Sequence, residues 1–328
     1  MTSFDTDWIQ GQRGDMAETG AGRGDSPDGR GGSIPGLAGK PAFTLTLRHP
    51  SPMPVLIAVP HAGRAYPAAL AELMRHPAPT GARLEDRFVD LVAESVARET
   101  GAALLVAHAP RAMIDLNRAP DDVDWEMVAG DAPPRRVRHA AGRRARSGLG
   151  LVPRRLPGLG ELWKRRLTRE ELAARIEGVH QPYHAALAHS LESLRDRWGA
   201  ALLIDLHSMP PLGSKRGSDP APDFVIGDRF GASCDGALAT AAFDHFAQSS
   251  RRAAHNRPYA GGYVLDRHAA PARGLHALQV EICRSAYLDG PLREPGPGLE
   301  AMVQVLAGLV RRMAEELAAG RKLPLAAE

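Results

Sequence analysis

Three short runs constrain this chain more than anything else in it: VLIAV at 55–59, AALLVA at 102–107 and ALLIDL at 201–206. Apolar residues fill almost every position of each run rather than every second one. A strand built from such a run has to be buried on both faces. A sheet of such strands therefore needs a helical layer above it and another below. The intervening stretches supply those layers. Residues 84–100 place Leu84, Phe88, Leu91, Val92 and Val96 at helical intervals. Residues 168–198 repeat the pattern, and Pro182 predicts two helices there or one kinked helix. Residues 297–319 read as a C-terminal amphipathic helix. The sequence thus predicts an α/β fold: three αβα layers around a mainly parallel, mixed sheet. Further strands are expected at FTLTL (43–47, an edge strand by its alternation), at 223–226 and at 275–283, and RAMIDLNR (111–118) reads as a short strand followed by a loop.

The 328 residues divide unevenly. Residues 1–40 hold ten glycines and almost no apolar periodicity, which predicts a disordered tail. The RGD triplets at 13–15 and 23–25 fall in this Arg/Gly/Asp-rich tract and read as chance. A single α/β domain is expected over 41–320, interrupted near 131–166 by a basic insert with little structure of its own. Ten arginines and one lysine between 135 and 166 face one acid, Glu161. Such a run could contact nucleic-acid phosphates. Trp163 is its only aromatic, however, and no RNA-binding motif is present, so nucleic acid is not an expected partner. The chain has two cysteines, Cys234 and Cys283, too few for a disulfide framework, and Cys283 reads as a packed small residue rather than a nucleophile. It shows no apolar run of about 18 residues and no signal-peptide layout. These features predict a cytoplasmic protein that does not engage a membrane, monomeric or a small homo-oligomer.

Chemistry-bearing residues gather at predicted strand ends, where open α/β sheets bind their ligands. His61 follows VLIAVP and His207 follows ALLIDL, so two sequence-distant imidazoles can meet there and bind a metal. Asp86 lies in LEDRFVD, Asp115 ends RAMID, and Glu281 lies inside the strand HALQVEICRS. Alternation puts Gln279, Glu281 and Cys283 on one face of that strand and Leu278, Val280 and Ile282 on the other. A carboxylate in so apolar a strand needs a partner or a task. Arg111 and Arg118 offer planar donor forks suited to a substrate carboxylate. His180, His184 and His189 sit in a helical region, with His180 and His184 on one face; no HExxH pattern is formed, and a structural role is expected. His268 and His276 flank the Glu281 strand and either line the pocket or cap loops. Gly261-Gly262 permits a tight turn or a close approach of backbone to substrate.

Six segments in order, VPHAGRAYP (59–67), EDRFVDLV (85–92), RAMIDLNRAP (111–120), LIDLHSMP (203–210), DFVIGDRFGASCD (223–235) and YAGGYVLDRHAAPARGLHALQVEICRSAYLD (259–289), resemble the N-formylglutamate amidohydrolase (deformylase) family. The resemblance covers roughly residues 43–315. It implies a fold related to zinc carboxypeptidases and hydrolysis of N-formyl-L-glutamate, or a related N-acyl amino acid, with one divalent ion, zinc. A zinc carboxypeptidase or another N-acyl amidohydrolase is the alternative. The resemblance further implies that His61 and His207 bind zinc, that Glu281 is the general base, that Arg118 handles the substrate carboxylate or the oxyanion, and that Asp115 orients His61. Arg111, Asn117, Ser208, Gly262 and Gln279 are the implied substrate-binding residues. One departure stands out. Where carboxypeptidases carry a metal-binding glutamate three residues after the first histidine, this chain has Arg64. The resemblance implies that the third ligand is Asp86, which matches an acidic position of the amidohydrolase family, with Glu85 the alternate.

Overall fold

The structure is a computed structural model and describes residues 28–130, 142–215 and 220–319. In chain order the strands are β1 (Asp28–Gly31), β2 (Phe43–Thr46), β3 (Val55–Val59), β4 (Ala103–Ala107), β5 (Arg155–Leu156), β6 (Gly160–Glu161), β7 (Ala201–Met209), β8 (Phe224–Gly227), β9 (Ala253–His255) and β10 (Leu275–Cys283). The α-helices are α1 (Ala68–Leu73), α2 (Pro77–Leu84), α3 (Val89–Thr100), α4 (Arg143–Arg146), α5 (Arg169–Arg175), α6 (Gln181–Trp198), α7 (Gly236–Gln248), α8 (Tyr263–His268) and α9 (Leu299–Ala319).

Eight strands form one sheet in the order β1-β2-β4-β3-β7-β10-β8-β9. β4, β3, β7 and β10 are mutually parallel, while β1 and β2 on one side and β8 on the other run antiparallel to their inner neighbours. The three apolar runs are the sheet's centre, buried at every position, as their composition requires. One face packs on Val89, Val92 and Val96 of α3, Leu238 and Phe246 of α7, and Met302, Leu306 and Val310 of α9. The other packs on Leu70 of α1, Leu172 of α5, and Tyr183, Leu187 and Leu191 of α6. This is the expected three-layer, mainly parallel architecture. No helix among the described residues is long and apolar enough to cross a membrane.

Local rules explain the helix bounds nearest the site. Thr168 and Glu171 form a reciprocal capping box that starts α5. A π-helical turn, Ile176–His180, follows, and Pro182 sits just after it in the first turn of α6; the carbonyl of Gly178, four residues back, accepts instead from the Ser33 amide at 2.8 Å. The Pro182 break thus resolves into two α-helices joined by a π-turn. The helical spacing over 84–100 spans two elements, because residues 85–88 form a turn. Phe88 takes a left-handed φ of 57° there, and the guanidinium of Arg64 lies over its ring at 4.7 Å.

Four expectations need correction. Order begins before Phe43: β1 lies inside the glycine-rich segment and pairs with β2 over Asp28–Gly31, so β2 is not the edge strand. Strand pairing uses backbone groups alone, and a glycine at 31 leaves room for the Phe43 ring to lie against it, so no apolar period announces the element. Residues 1–27, with both RGD triplets, lie outside the described residues. The basic insert has more structure than its composition suggests. Residues 131–141 lie outside the described residues, but Leu151, Val152, Leu162 and Trp163 are core residues, and β5 pairs with β6. RAMID is not a strand either. Residues 110–118 form successive turns (Met113 N–H to Pro110 O at 2.8 Å, Arg118 N–H to Asp115 O at 3.1 Å), and their apolar side chains are buried in the core without pairing as a strand. Finally, ALLIDL does not end before His207; β7 runs on to Met209, so His207 stands within the strand's last turn of pleat.

Candidate active site

The sheet changes character along one face. On β7 and β10, Ala201, Leu203, Leu275 and Ala277 pack into the core, while two and four residues further on the same face carries Asp205, His207, Gln279 and Glu281. In the parallel register Asp205 pairs with Gln279 and His207 with Glu281, so these four polar side chains are neighbours across two strands. His61 joins them from just beyond β3, whose Ala58 is level with Asp205. Asp86 arrives from the 85–88 turn, its amide held by the carbonyl of His61 at 2.9 Å.

His61, Asp86 and His207 form a buried group in which one ligand atom from each lies within 4.8 Å of the others. Asp86 Oδ2 is 3.0 Å from His207 Nδ1 and 3.5 Å from His61 Nδ1. The opposite nitrogens are engaged: His61 Nε2 with Asp115 Oδ1 at 2.7 Å, and His207 Nε2 with Asp205 Oδ2 at 2.9 Å. Both imidazoles therefore turn Nδ1 toward a common point, with Nε2 pinned by a carboxylate, the arrangement that metal-binding histidines require. His61 Nδ1 is buried and lacks any hydrogen-bond partner. An orphaned imidazole nitrogen, a second one and a carboxylate make a donor set that suits a divalent ion with room for a further ligand.

The electrostatics agree. Burial pushes the Asp86 carboxyl up, but the hydrogen bond to His207 and the nearby imidazole of His61 outweigh it and hold the group well below the usual carboxylate range. Asp115 is held down likewise against burial, by Arg111 and then His61. Burial lowers His207, yet Asp205 and Asp86 raise it well above the ordinary histidine range. Surroundings that favour a proton there also favour a cation. Glu281 moves the other way. Burial raises its carboxyl to about 7, with Asp86 adding to the rise and His207 opposing it. Gln279 Nε2 donates to Glu281 Oε1 at 2.9 Å.

These groups open into a cavity of about 1090 Å³. His61, Asp86, His207, Glu281, Arg111, Asn117, Arg118, Ser208, Gly262 and Gln279 all line it. Asp115 stands behind His61 rather than on the cavity wall. Arg111 spends its Nε and Nη2 on Asp115, both at 2.9 Å, so it braces that carboxylate. Arg118 donates only to the carbonyls of Leu149 and Asn117 and, among the described residues, forms no ion pair. Asn117 is held by Gln279 Oε1 at 3.3 Å and accepts from the Val264 amide at 3.0 Å. Ser208 Oγ donates to Asp86 at 3.3 Å. The two glycines separate: Gly261 turns the chain at φ 102°, while Gly262 admits Asn117, whose Oδ1 would lie 2.5 Å from a Cβ added there. The insert contributes Arg144, Leu149 and Pro157 to the wall.

Glu85 does not reach the ligand group: its carboxylate accepts from Tyr66 at 2.9 Å and pairs with Arg87 at 3.1 Å. Arg64 pairs with Asp90 at 2.6 Å, outside the site. His276 accepts from the Asp235 amide beside α7 and is not a wall residue. Sequence reasoning missed Asp205 and Arg284. Asp205 had a readable signal, an acid two residues before His207 in a fully apolar strand and hence on the same face. Arg284, which bonds Ser208 Oγ at 3.1 Å and reaches Asp86 Oδ1 at 3.4 Å, had none.

Residues 53–288 match the N-formylglutamate amidohydrolase family. The chain is 30% identical to N-formylglutamate deformylase of Pseudomonas putida over 83% of its own length and 94% of that protein's. It is 29% identical to the deformylase of Pseudomonas aeruginosa over 81% and 93%. Among solved structures, N-formylglutamate amidohydrolase from Ralstonia eutropha JMP134 superposes with a TM-score of 0.75 at 33% identity, covering 85% of this chain and 99% of that one. A protein from Agrobacterium tumefaciens shares the fold at a TM-score of 0.60 and 18% identity.

Proposed function

The chain belongs to the N-formylglutamate amidohydrolase family, and from that premise we propose that it hydrolyses N-formyl-L-glutamate to formate and L-glutamate, with one zinc ion held by His61, Asp86 and His207. The observation that supports this most is the convergence of two pinned imidazoles and one carboxylate within 4.8 Å, beside the buried carboxyl of Glu281, which burial pushes up to about 7. Zinc bound there supplies Lewis acidity toward the formyl oxygen and lowers the pKa of water toward neutrality. The protein's own residues do the rest. Glu281 takes a proton from the attacking water as its oxygen bonds the formyl carbon, then delivers that proton to the nitrogen as the C–N bond breaks. A carboxyl poised near neutral pH suits both transfers. Arg118, with no carboxylate partner among the described residues, receives the glutamate carboxylate or the oxyanion. Asp115 and Asp205 hold the two imidazoles, Arg111 braces Asp115, and Asn117 and Gln279 keep Glu281 in place. Deformylation of this substrate would close one route of histidine degradation. The two free, buried cysteines fit a reducing cytoplasm.

The test is direct. Purified protein is analysed for metal and assayed for formate release from N-formyl-L-glutamate, with N-acetyl-L-glutamate and a hippuryl peptide beside it. Equimolar zinc and a preference for the formyl compound are expected. Turnover of the peptide alone, or full activity after complete metal removal, overturns the reading. One observation favours a second reading. The cavity, about 1090 Å³, lies just above the roughly 300–1,000 Å³ typical of small-molecule sites. A longer N-acyl group would fill it better, and the acetyl compound would then be the preferred substrate.

A further inference from the structure

Three histidines outside the metal-ligand group form a second buried cluster. His180 ends the π-turn, His184 lies one turn into α6, and His268 ends α8. Their rings pack together: His180 and His184 have centroids 4.4 Å apart, and His184 and His268 meet edge to edge at 5.2 Å with planes 13° apart. Tyr183 and Tyr263 close the cluster.

Each ring has a defined bond. His184 Nε2 lies 3.0 Å from the carbonyl of Leu116, and His180 Nε2 lies 2.9 Å from the carbonyl of Arg118. A carbonyl oxygen only accepts, so both Nε2 atoms carry hydrogen. A neutral His184 then has a bare Nδ1, which faces His268 Nε2 at 2.9 Å, so His268 is the donor. Burial first, then His180, His268 and Arg267, discourage protonation of His184, and the bond to the Leu116 carbonyl opposes them without overcoming them. At His180 burial dominates and lowers the pKa; the bond to the Arg118 carbonyl opposes it, Arg267 adds to the lowering, and Asp115 opposes it least. On the same side Arg175 Nη1 donates to the carbonyl of Met113 at 3.0 Å. One helical unit, residues 169–198, thus satisfies the carbonyls of residues 113, 116 and 118 with side-chain donors.

The clamped loop carries Asp115, Asn117 and Arg118. With the 116 and 118 carbonyls drawn to the histidines, Asp115 reaches His61 and Asn117 reaches Gln279 on the opposite side. We propose that His180, His184 and His268 are positioning residues: His180 by its bond to the Arg118 carbonyl, and His184, oriented by the His268 donor, by its bond to the Leu116 carbonyl, hold the Asp115–Arg118 loop in register with His61 and the cavity. Its activity readout rests on the hydrolase reading above; its spectroscopic readout does not.

The experiment has two arms. Long-range proton–nitrogen correlation spectra of the wild-type holoenzyme, assigned with single variants, report the tautomer of each ring. Nε2–H forms of all three histidines at pH 7 are expected. An Nδ1–H form or an imidazolium at His180 or His184 overturns the proposal whatever the substrate proves to be. In the second arm, His180→Leu removes the donor to Arg118, and His180→Gln replaces it with an amide nitrogen at the same reach. The leucine variant should lose about ten- to a hundredfold in kcat/KM, chiefly through KM, with zinc content unchanged, a loss typical of displaced supporting groups. The glutamine variant should recover to within a few-fold of wild type. Equal impairment of both variants, or a leucine variant that is merely less stable with unaltered kinetics, overturns the positioning role. Wild-type inactivity on the formyl substrate would instead count against the hydrolase reading, leaving the tautomer result to judge the cluster.

Discussion

Asp86 Oδ2 lies 3.0 Å from one imidazole and 3.5 Å from the other, so a single carboxylate joins the side chains at the ends of two strands. Glu85, its neighbour, spends its carboxylate on Tyr66 and Arg87. The two acids therefore separate by experiment: Asp86→Ala should lose bound metal, whereas Glu85→Gln should retain it, both read by metal analysis after gel filtration. Asp205 carries a subtler prediction. It is fully buried, and its one bond fixes which nitrogen of His207 faces Asp86. Asp205→Asn should weaken metal affinity by about ten- to a hundredfold in chelator competition, because the orienting carboxylate is gone while the ligands remain. Glu281→Gln should behave oppositely, keeping metal and losing turnover by about 10²–10⁴, the usual worth of a positioned acid–base group. Full activity in that variant would remove Glu281 from the mechanism.

At the scale of elements, the unit from α5 through the π-turn to α6 does two jobs. Leu172, Val179, Leu187 and Leu191 cover one face of the sheet, and the same helical surface presents Arg175, His180 and His184 to the 113–118 loop. Buried neutral histidines give this unit an acid liability. An imidazole that titrates near 6.5 in the unfolded chain but is lowered to about 4 when packed binds fewer protons in the native state between those values. Stability from His180 is therefore complete above pH 6.5 and is lost progressively as pH falls toward 4, on the order of 3 kcal/mol in all. His268, lowered to about 3, adds to the loss in the same direction. Thermal melts from pH 7.5 to 4.5 should show a falling Tm, and His180→Gln should flatten the curve. A profile unchanged by that variant would place the acid sensitivity elsewhere.

Across the whole molecule, the site has no local precursor in the chain. His61, Asp86, His207 and Glu281 come from four elements separated by 220 residues of sequence and meet only when β3, β7 and β10 lie side by side. A metal that binds this arrangement and not the unfolded chain stabilises the fold by mass action, about 2.7 kcal/mol at a hundredfold excess over Kd. Removing metal with a chelator should thus lower Tm and abolish turnover together, and added zinc should restore both. A chelated protein with unchanged Tm would mean that the His61–Asp86–His207 group is not a metal centre.

Burial pattern along each segment was local information, and the chain carried it in full: solid apolar runs became the central strands, and the 3.6-residue spacings became the covering helices. His61, His207 and Glu281 were legible for the same reason, being polar residues at the ends of apolar strands. Pairing is not local information. β1 is held by backbone bonds to β2, the 110–118 segment is buried by side-chain donors from a distant helical unit, and the insert reaches the core through Leu151 and Trp163. None of these leaves a period in the sequence, because the partner lies elsewhere in the chain. Which of Asp86 and Glu85 faces the two imidazoles was decided the same way: two adjacent acids with identical chemistry differ only in which neighbours the turn at 85–88 gives them.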